Sequence, residues 1–127
     1  MKGAYVDGFV FPVPKKNFAA YKKMASMAGK LWKKHGAVAY FECTGDDLHT
    51  KSMGGMKPRS FIETAKAKSG DQVWFSFIVY KSRKHRDQVN ARVMKDPKMN
   101  DREWANKPMP FDMKRMAYGG FKTIVSS

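Results

Sequence analysis

Apolar and polar positions alternate through residues 4–13, AYVDGFVFPV, and the run is rich in strand formers. It predicts a strand ended by Pro12 and Pro14, with Tyr5, Asp7, Phe9 and Phe11 on one face and Val6, Gly8 and Val10 on the other. The period then changes. Phe18, Tyr21, Ala25, Ala28, Leu31, Trp32 and His35 recur at helical spacing, predicting a helix over 15–35. Lys16, Lys23, Lys30 and Lys34 fall on its other side, so the outer stripe is basic and carries no acid. Gly36 follows, where a left-handed cap belongs.

A second strand is predicted at 37–44, AVAYFECT, followed by a mobile loop over 48–58 that holds Gly54, Gly55 and Pro58. Two further strands, 59–68 and 72–80, are expected to form a hairpin about Ser69-Gly70-Asp71. Ser82 is placed to cap a helix over 83–95. Lys84, Gln88, Arg92 and Lys95 lie outward on that helix, while Arg86, Val89, Asn90 and Val93 lie inward. Asp96-Pro97 opens a short further helical turn, 105–113 is irregular, and a last strand runs from Lys114 to Val125.

Strand, helix, strand, repeated once, is the order of an α+β ferredoxin-like βαββαβ chain with an antiparallel sheet and its helices on one face. The other sheet face is then bare. The strand at 72–80 is apolar on both sides, with Val73, Phe75, Phe77 and Val79 opposite Trp74, Ile78 and Tyr80. Such a strand expects cover on both faces, and a second copy of the chain is the simplest cover for the open one.

With 127 residues the chain suits one domain. Cys43 is the single cysteine, which allows no internal disulfide and makes a reducing cytoplasm the expected compartment. The opening MKGAYVDGFVF lacks a secretory layout, and no run approaches the roughly 18 apolar residues of a membrane span, so no membrane partner is expected. Charge changes the picture more. Lys and Arg number 25 against 11 acidic residues, a net +14. The excess is spread along the chain, as a solvated surface would have it, but Lys16, Lys23, Lys30, Lys34, Lys84, Arg92 and Lys95 could also follow a phosphate backbone.

Several phrases resemble a known family: YVDGFV at 5–10, Glu42-Cys43 with Asp46-Asp47 after it, VWFSFIVYKS at 73–82, RDQVNARVMKDPKM at 86–99 and MPFDMKRMAYGGF at 109–121. In order and spacing they are similar to the YbaA-like uncharacterised bacterial proteins (domain of unknown function, DUF 1428). The resemblance implies the dimeric α/β-barrel superfamily, in which two ferredoxin-like chains pack sheet against sheet. That superfamily includes cofactor-free monooxygenases, lactone isomerases and small stress-related proteins. The family itself brings no reaction with it.

Candidate chemistry has to come from the residues. Arg86 and Asn90 stand four apart on one helix face, able to hold an anion and a carbonyl. The structural alternative, which carries more weight, is that Arg86 pins its helix to a carboxylate such as Asp112 or Glu42. Asp7 interrupts an apolar strand. Burial would raise its pKa and suit a general base, or it is a satisfied structural carboxylate. Glu42 has the same two readings. Asp112 is expected to close a turn from Pro108, Arg115 to pair with a carboxylate, and Tyr118 to offer a hydroxyl to a pocket wall. Gly119 and Gly120 leave room for a bulge or a close backbone. His35, His49 and His85 show no metal spacing, and no nucleophile elbow or phosphate loop is present, so neither metal nor cofactor is expected.

The leading expectation is a homodimer that binds a small organic ligand or acts without a cofactor, as a monooxygenase- or isomerase-like enzyme. Its pocket would lie near the dimer seam or between sheet and helices, with Asp7, Arg86, Asn90 and Tyr118 as polar contacts. The alternatives are an RNA or polyanion binder using the basic stripes, and a dimeric interaction protein with no pocket. RNA-recognition modules share the element order, but the basic-Gly-aromatic opening is absent before VWFSF. A sheet face buried between two chains also could not stack bases.

Overall fold

The computed structural model describes residues 3–100 and 109–127. The chain is a mixed α+β unit with a four-stranded antiparallel open sheet. Its elements are β1 (Tyr5–Pro14), α1 (Phe18–Lys34), β2 (Ala39–Thr44), α2 (Phe61–Thr64), β3 (Asp71–Tyr80), α3 (Arg83–Lys95) and β4 (Ala117–Lys122). The strands lie in the order β2-β3-β1-β4.

β1 and β3 are the two central strands, paired along their whole length from Tyr5↔Tyr80 to Pro14↔Asp71. β1 runs through Pro12 and ends at Pro14, the second of the two prolines expected to close it. The Val73 carbonyl accepts from the Gly45 N–H on the β2 side, so the polar backbone of Val73 points away from its partner Pro12. The nitrogen of Pro12 therefore faces the β4 side, where the ladder has already stopped at Val10. A residue without an N–H is tolerated there.

The predicted strand at 59–68 does not form. Ser60 accepts a hydrogen bond from the Glu63 N–H at 3.1 Å and starts the single-turn helix α2, the Ser-x-x-Glu pattern of a capping box. The chain then enters β3 through Gly70 at φ +89°, so 59–68 and 72–80 are not a hairpin. The loop at 48–58 holds an isolated Met53↔Met56 bridge around Gly54 and Gly55, both at positive φ. Ser82 caps α3 by accepting from the His85 N–H at 3.0 Å. Pro97–Asn100 form the short turn expected after Asp96. The last strand is shorter than expected: Met113–Arg115 make a 3₁₀ turn, held by the Asp112 carboxylate on the Lys114 N–H at 3.0 Å. Of the irregular stretch 105–113, residues 105–108 lie outside the described residues, and Pro108 with them.

One sheet face meets α1 and α3. Tyr5, Ile78 and Tyr80 pack there with Leu31 of α1 and with Val89 and Val93 of α3. Phe11, Val13 and Trp74 pack with Tyr21, Ala25 and Phe111. The edge-to-face Tyr21 and Trp74 rings are 4.8 Å apart. The opposite face carries Val6, Val10, Phe41, Phe75, Phe77, Val79 and Phe121, by the strand alternation and the pairing registers. Phe41, Phe75 and Phe121 are 50%, 44% and 63% exposed. Phe41 stacks on Phe77 at 5.0 Å, and Phe61 of α2 meets Phe75 at 6.3 Å.

Candidate functional site

Alternation along β1 turns Asp7 toward the helices, where it is 2% exposed. Arg86, on the first turns of α3, reaches back to it with Nη1 at 3.2 Å from Asp7 Oδ1. The same nitrogen donates to the Tyr118 hydroxyl at 3.0 Å, and Nη2 donates to the Tyr5 hydroxyl at 3.4 Å. The guanidinium also lies over the Tyr5 ring, 4.9 Å from its centre. Asp87 Oδ1 lies 2.9 Å from Arg86 Nε, close enough for an ion pair. The angle makes no hydrogen bond, so that buried N–H has no acceptor among the described residues. One turn along α3, Asn90 Oδ1 accepts from the Trp32 indole at 3.0 Å and from the Tyr80 hydroxyl at 3.2 Å.

Asp7, Arg86, Asn90 and Tyr118 thus converge from β1, α3 and β4. Helical spacing already set Arg86 beside Asn90. The arrival of Asp7 and Tyr118 depends on β1 and β4 being neighbours, with Asp7 opposite Gly120. Arg86 does pin its helix to a carboxylate, but that carboxylate is Asp7 and not Asp112 or Glu42. Removal from water raises the Asp7 pKa, opposed by the charge of Arg86 and by the polar side chains of Tyr80, Asn90 and Tyr118. Burial and the neighbouring Asp7 push the Tyr118 hydroxyl upward as well, although Tyr118 is 54% exposed. The cluster is therefore a shielded carboxylate, one cation and a half-exposed tyrosine. Tyr5 and Tyr80 complete it. Their place on the inner face followed from strand alternation, but nothing local marked their hydroxyls as partners.

Glu42 does not join Asp7. It sits on β2, with β3 between them, and accepts from the Tyr21 hydroxyl, which is 2.7 Å from both carboxylate oxygens. Burial raises its pKa, with Tyr21 among the groups pulling the other way. Arg115 and Asp112 stand at another end of the sheet. Arg115 pairs with Asp71 at 2.9 Å and with Asp112 at 3.4 Å and donates to the Lys66 carbonyl at 3.1 Å. Arg115 precedes β4 rather than lying within it. Nor do Gly119 and Gly120 form a bulge; the pairing with β1 runs regularly through both. A Cβ on Gly120 would fall on the Tyr5 phenol, so it is this ring that needs the space. His35 and Lys34 both reach Asp96, at 2.7 and 3.1 Å. Among the described residues no three His, Cys, Asp or Glu side chains gather as a metal ion would require.

The family described as "Protein of unknown function (DUF1428)" matches residues 4–113. The chain belongs to that family. It is 40% identical over 121 residues to the "Uncharacterized protein YbaA" of Escherichia coli strain K12, a span that covers 95% of this chain and 97% of that protein. The same figures hold for the protein of that name from Shigella flexneri. The DUF1428 family has no assigned function. Asp7, Glu42, Arg86 and Asn90 fall inside the matched segment of this DUF1428 chain, and Tyr118 lies beyond it. Among the described residues no helix is long and apolar enough to cross a membrane.

Proposed function

We propose that this chain binds a small organic molecule at Asp7, Arg86, Asn90 and Tyr118, and that Asp7 takes a proton from it in a cofactor-free, isomerase- or monooxygenase-like reaction. One observation carries this reading: a carboxylate 2% exposed, with its pKa raised, shares Arg86 Nη1 with the hydroxyl of a half-exposed tyrosine. A carboxylate with a raised pKa accepts a proton more readily than an exposed one. Arg86, whose buried Nε–H has no hydrogen-bond acceptor among the described residues although Asp87 lies 2.9 Å from it, would with Tyr118 carry the oxyanion left behind. Thermal-shift screening of enols, phenols and lactones against wild type, Tyr118→Phe and Asp7→Asn tests this. Tyr118→Phe removes one hydroxyl from an exposed side chain, so the fold should survive while the ligand shift is lost. If every ligand shift survives in both variants, the site is wrong.

The proposed architecture is a ferredoxin-like βαββαβ chain that dimerises as an α/β barrel in the cytoplasm. The strand order and the exposed Phe41, Phe75 and Phe121 support it. An apolar face of this kind on a soluble protein calls for cover, and α1 and α3 are both on the other side. A polyanion-binding reading rests on a different observation. Lys16, Lys23, Lys30, Lys34, Lys84, Arg92 and Lys95 are all exposed, and α1 contains no acid. Retention on RNA across a salt series would separate the two. A steep fall of affinity with salt supports phosphate contacts, and no binding at low salt removes them.

A further inference from the structure

The helix-facing side of β2 holds a second polar centre. Tyr40, Glu42 and Thr44 line the sheet edge furthest from β4, and α1 leaves an open groove of about 590 Å³ above them. Ligand pockets span about 300–1,000 Å³, so a small aromatic compound fits. The walls are flat and apolar, from Phe18, Tyr40 and Trp74. Gly29 lets the α1 backbone approach the Tyr40 ring, since a Cβ there would stand 3.0 Å from it.

Three features of this groove are unspent by the fold. Trp74 lines it and is 4% exposed, yet its indole N–H has no acceptor among the described residues. A buried donor left unpaired is costly and uncommon. Glu42 accepts from Tyr21, has the Ser76 hydroxyl opposite it on β3, and keeps spare lone pairs. On the rim stand Lys22, Lys30 and Lys33. Lys33 donates to the Val38 carbonyl at 2.8 Å, whereas Lys22 and Lys30 have no ion pair among the described residues. Three ammonium groups against one carboxylate favour an anion.

We propose that the α1–β2 groove binds a hydroxylated aromatic carboxylate. Its ring lies on Trp74 and Phe18, its carboxylate meets Lys22 and Lys30, and its hydroxyl faces the floor. A phenol suits that floor because its hydroxyl donates to the Glu42 carboxylate, with the buried Trp74 indole beside it. The site is separate from Asp7, two strands and about 10 Å away across the sheet.

The test is an NMR titration of the full chain with 6-hydroxy-2-naphthoate, following the Trp74 indole N–H resonance, assigned through Trp74→Phe. The probe should shift that resonance. Lys22→Ala/Lys30→Ala replaces two exposed side chains, leaves the fold intact and should weaken binding by about tenfold. 2-Naphthol, which lacks the anion, should also bind more weakly. An unmoved Trp74 resonance at millimolar probe overturns the proposal, as does undiminished affinity in the double lysine variant. Displacement of the probe by oligouridylate without a Trp74 shift would assign the rim to phosphate backbones instead.

Discussion

Replacing Arg86 by Met keeps most of the side chain's volume and removes its charge, leaving Asp7 buried without its cation. At 3.2 Å and an effective dielectric of about 20, the lost attraction is about 5 kcal/mol. Losing one partner of a buried pair costs about 3–5 kcal/mol, a large share of the roughly 5–15 kcal/mol that holds a domain together. The loss should depend on pH. Burial already raises the Asp7 pKa above 3.8 while Arg86 opposes it, so Arg86→Met raises it further. A group with a raised folded-state pKa contributes most below its unfolded value, and that contribution is lost as pH rises through the folded value. Within that window each pH unit costs about 1.4 kcal/mol. Arg86→Met should therefore be more stable at pH 5 than at pH 7, by up to about 2.7 kcal/mol across those two units. Asp7→Asn/Arg86→Met removes the titrating group and should lose the extra slope. Urea unfolding followed by tryptophan fluorescence at both pH values measures this. Equal slopes in the single and double variants would show that Asp7 is not the group Arg86 compensates, and the proposed base would lose its support.

Gly120→Ala should cost about 1–3 kcal/mol, because the new Cβ meets a Tyr5 ring that is 9% exposed and held under Arg86; thermal unfolding within 0.5 kcal/mol of wild type would contradict that packing. Glu42 has a pKa above 4.5, so its contribution to stability is fully present below that pH and is lost as pH rises through the folded value. The stability of wild type relative to Glu42→Gln should accordingly fall as the pH of a melting series is raised from 4 to 7, and a constant difference would mean that Glu42 is not shielded. Phe75→Glu should convert a wild-type species of twice 14.5 kDa into one of 14.5 kDa by light scattering. A wild-type chain that is already a lone subunit at micromolar concentration would leave the aromatic sheet face without its proposed cover.

What the chain's own order determined are the features written in neighbouring residues. The alternation of β1 and β3, the helical period and basic stripe of α1, and the Ser82 cap of α3 depend on contacts within a few positions, so they are legible before folding. The Ser60-x-x-Glu63 pattern was equally local. It prevailed over the strand-forming Phe61 and Ile62 because it satisfies backbone donors at a helix start that a lone strand would leave open. Helical spacing also put Arg86 beside Asn90. Only the tertiary structure decided which carboxylate Arg86 would meet. Asp7 lies 79 residues away and Tyr118 32 residues away, and both arrive because β1 pairs with β4 and α3 crosses the same sheet face. Glu42 is kept from Asp7 for the same reason, since β3 runs between their strands. A charge in an apolar run announces that it needs a partner. Which partner it finds is set by strand order and helix placement, and these come from burying the whole apolar surface at once.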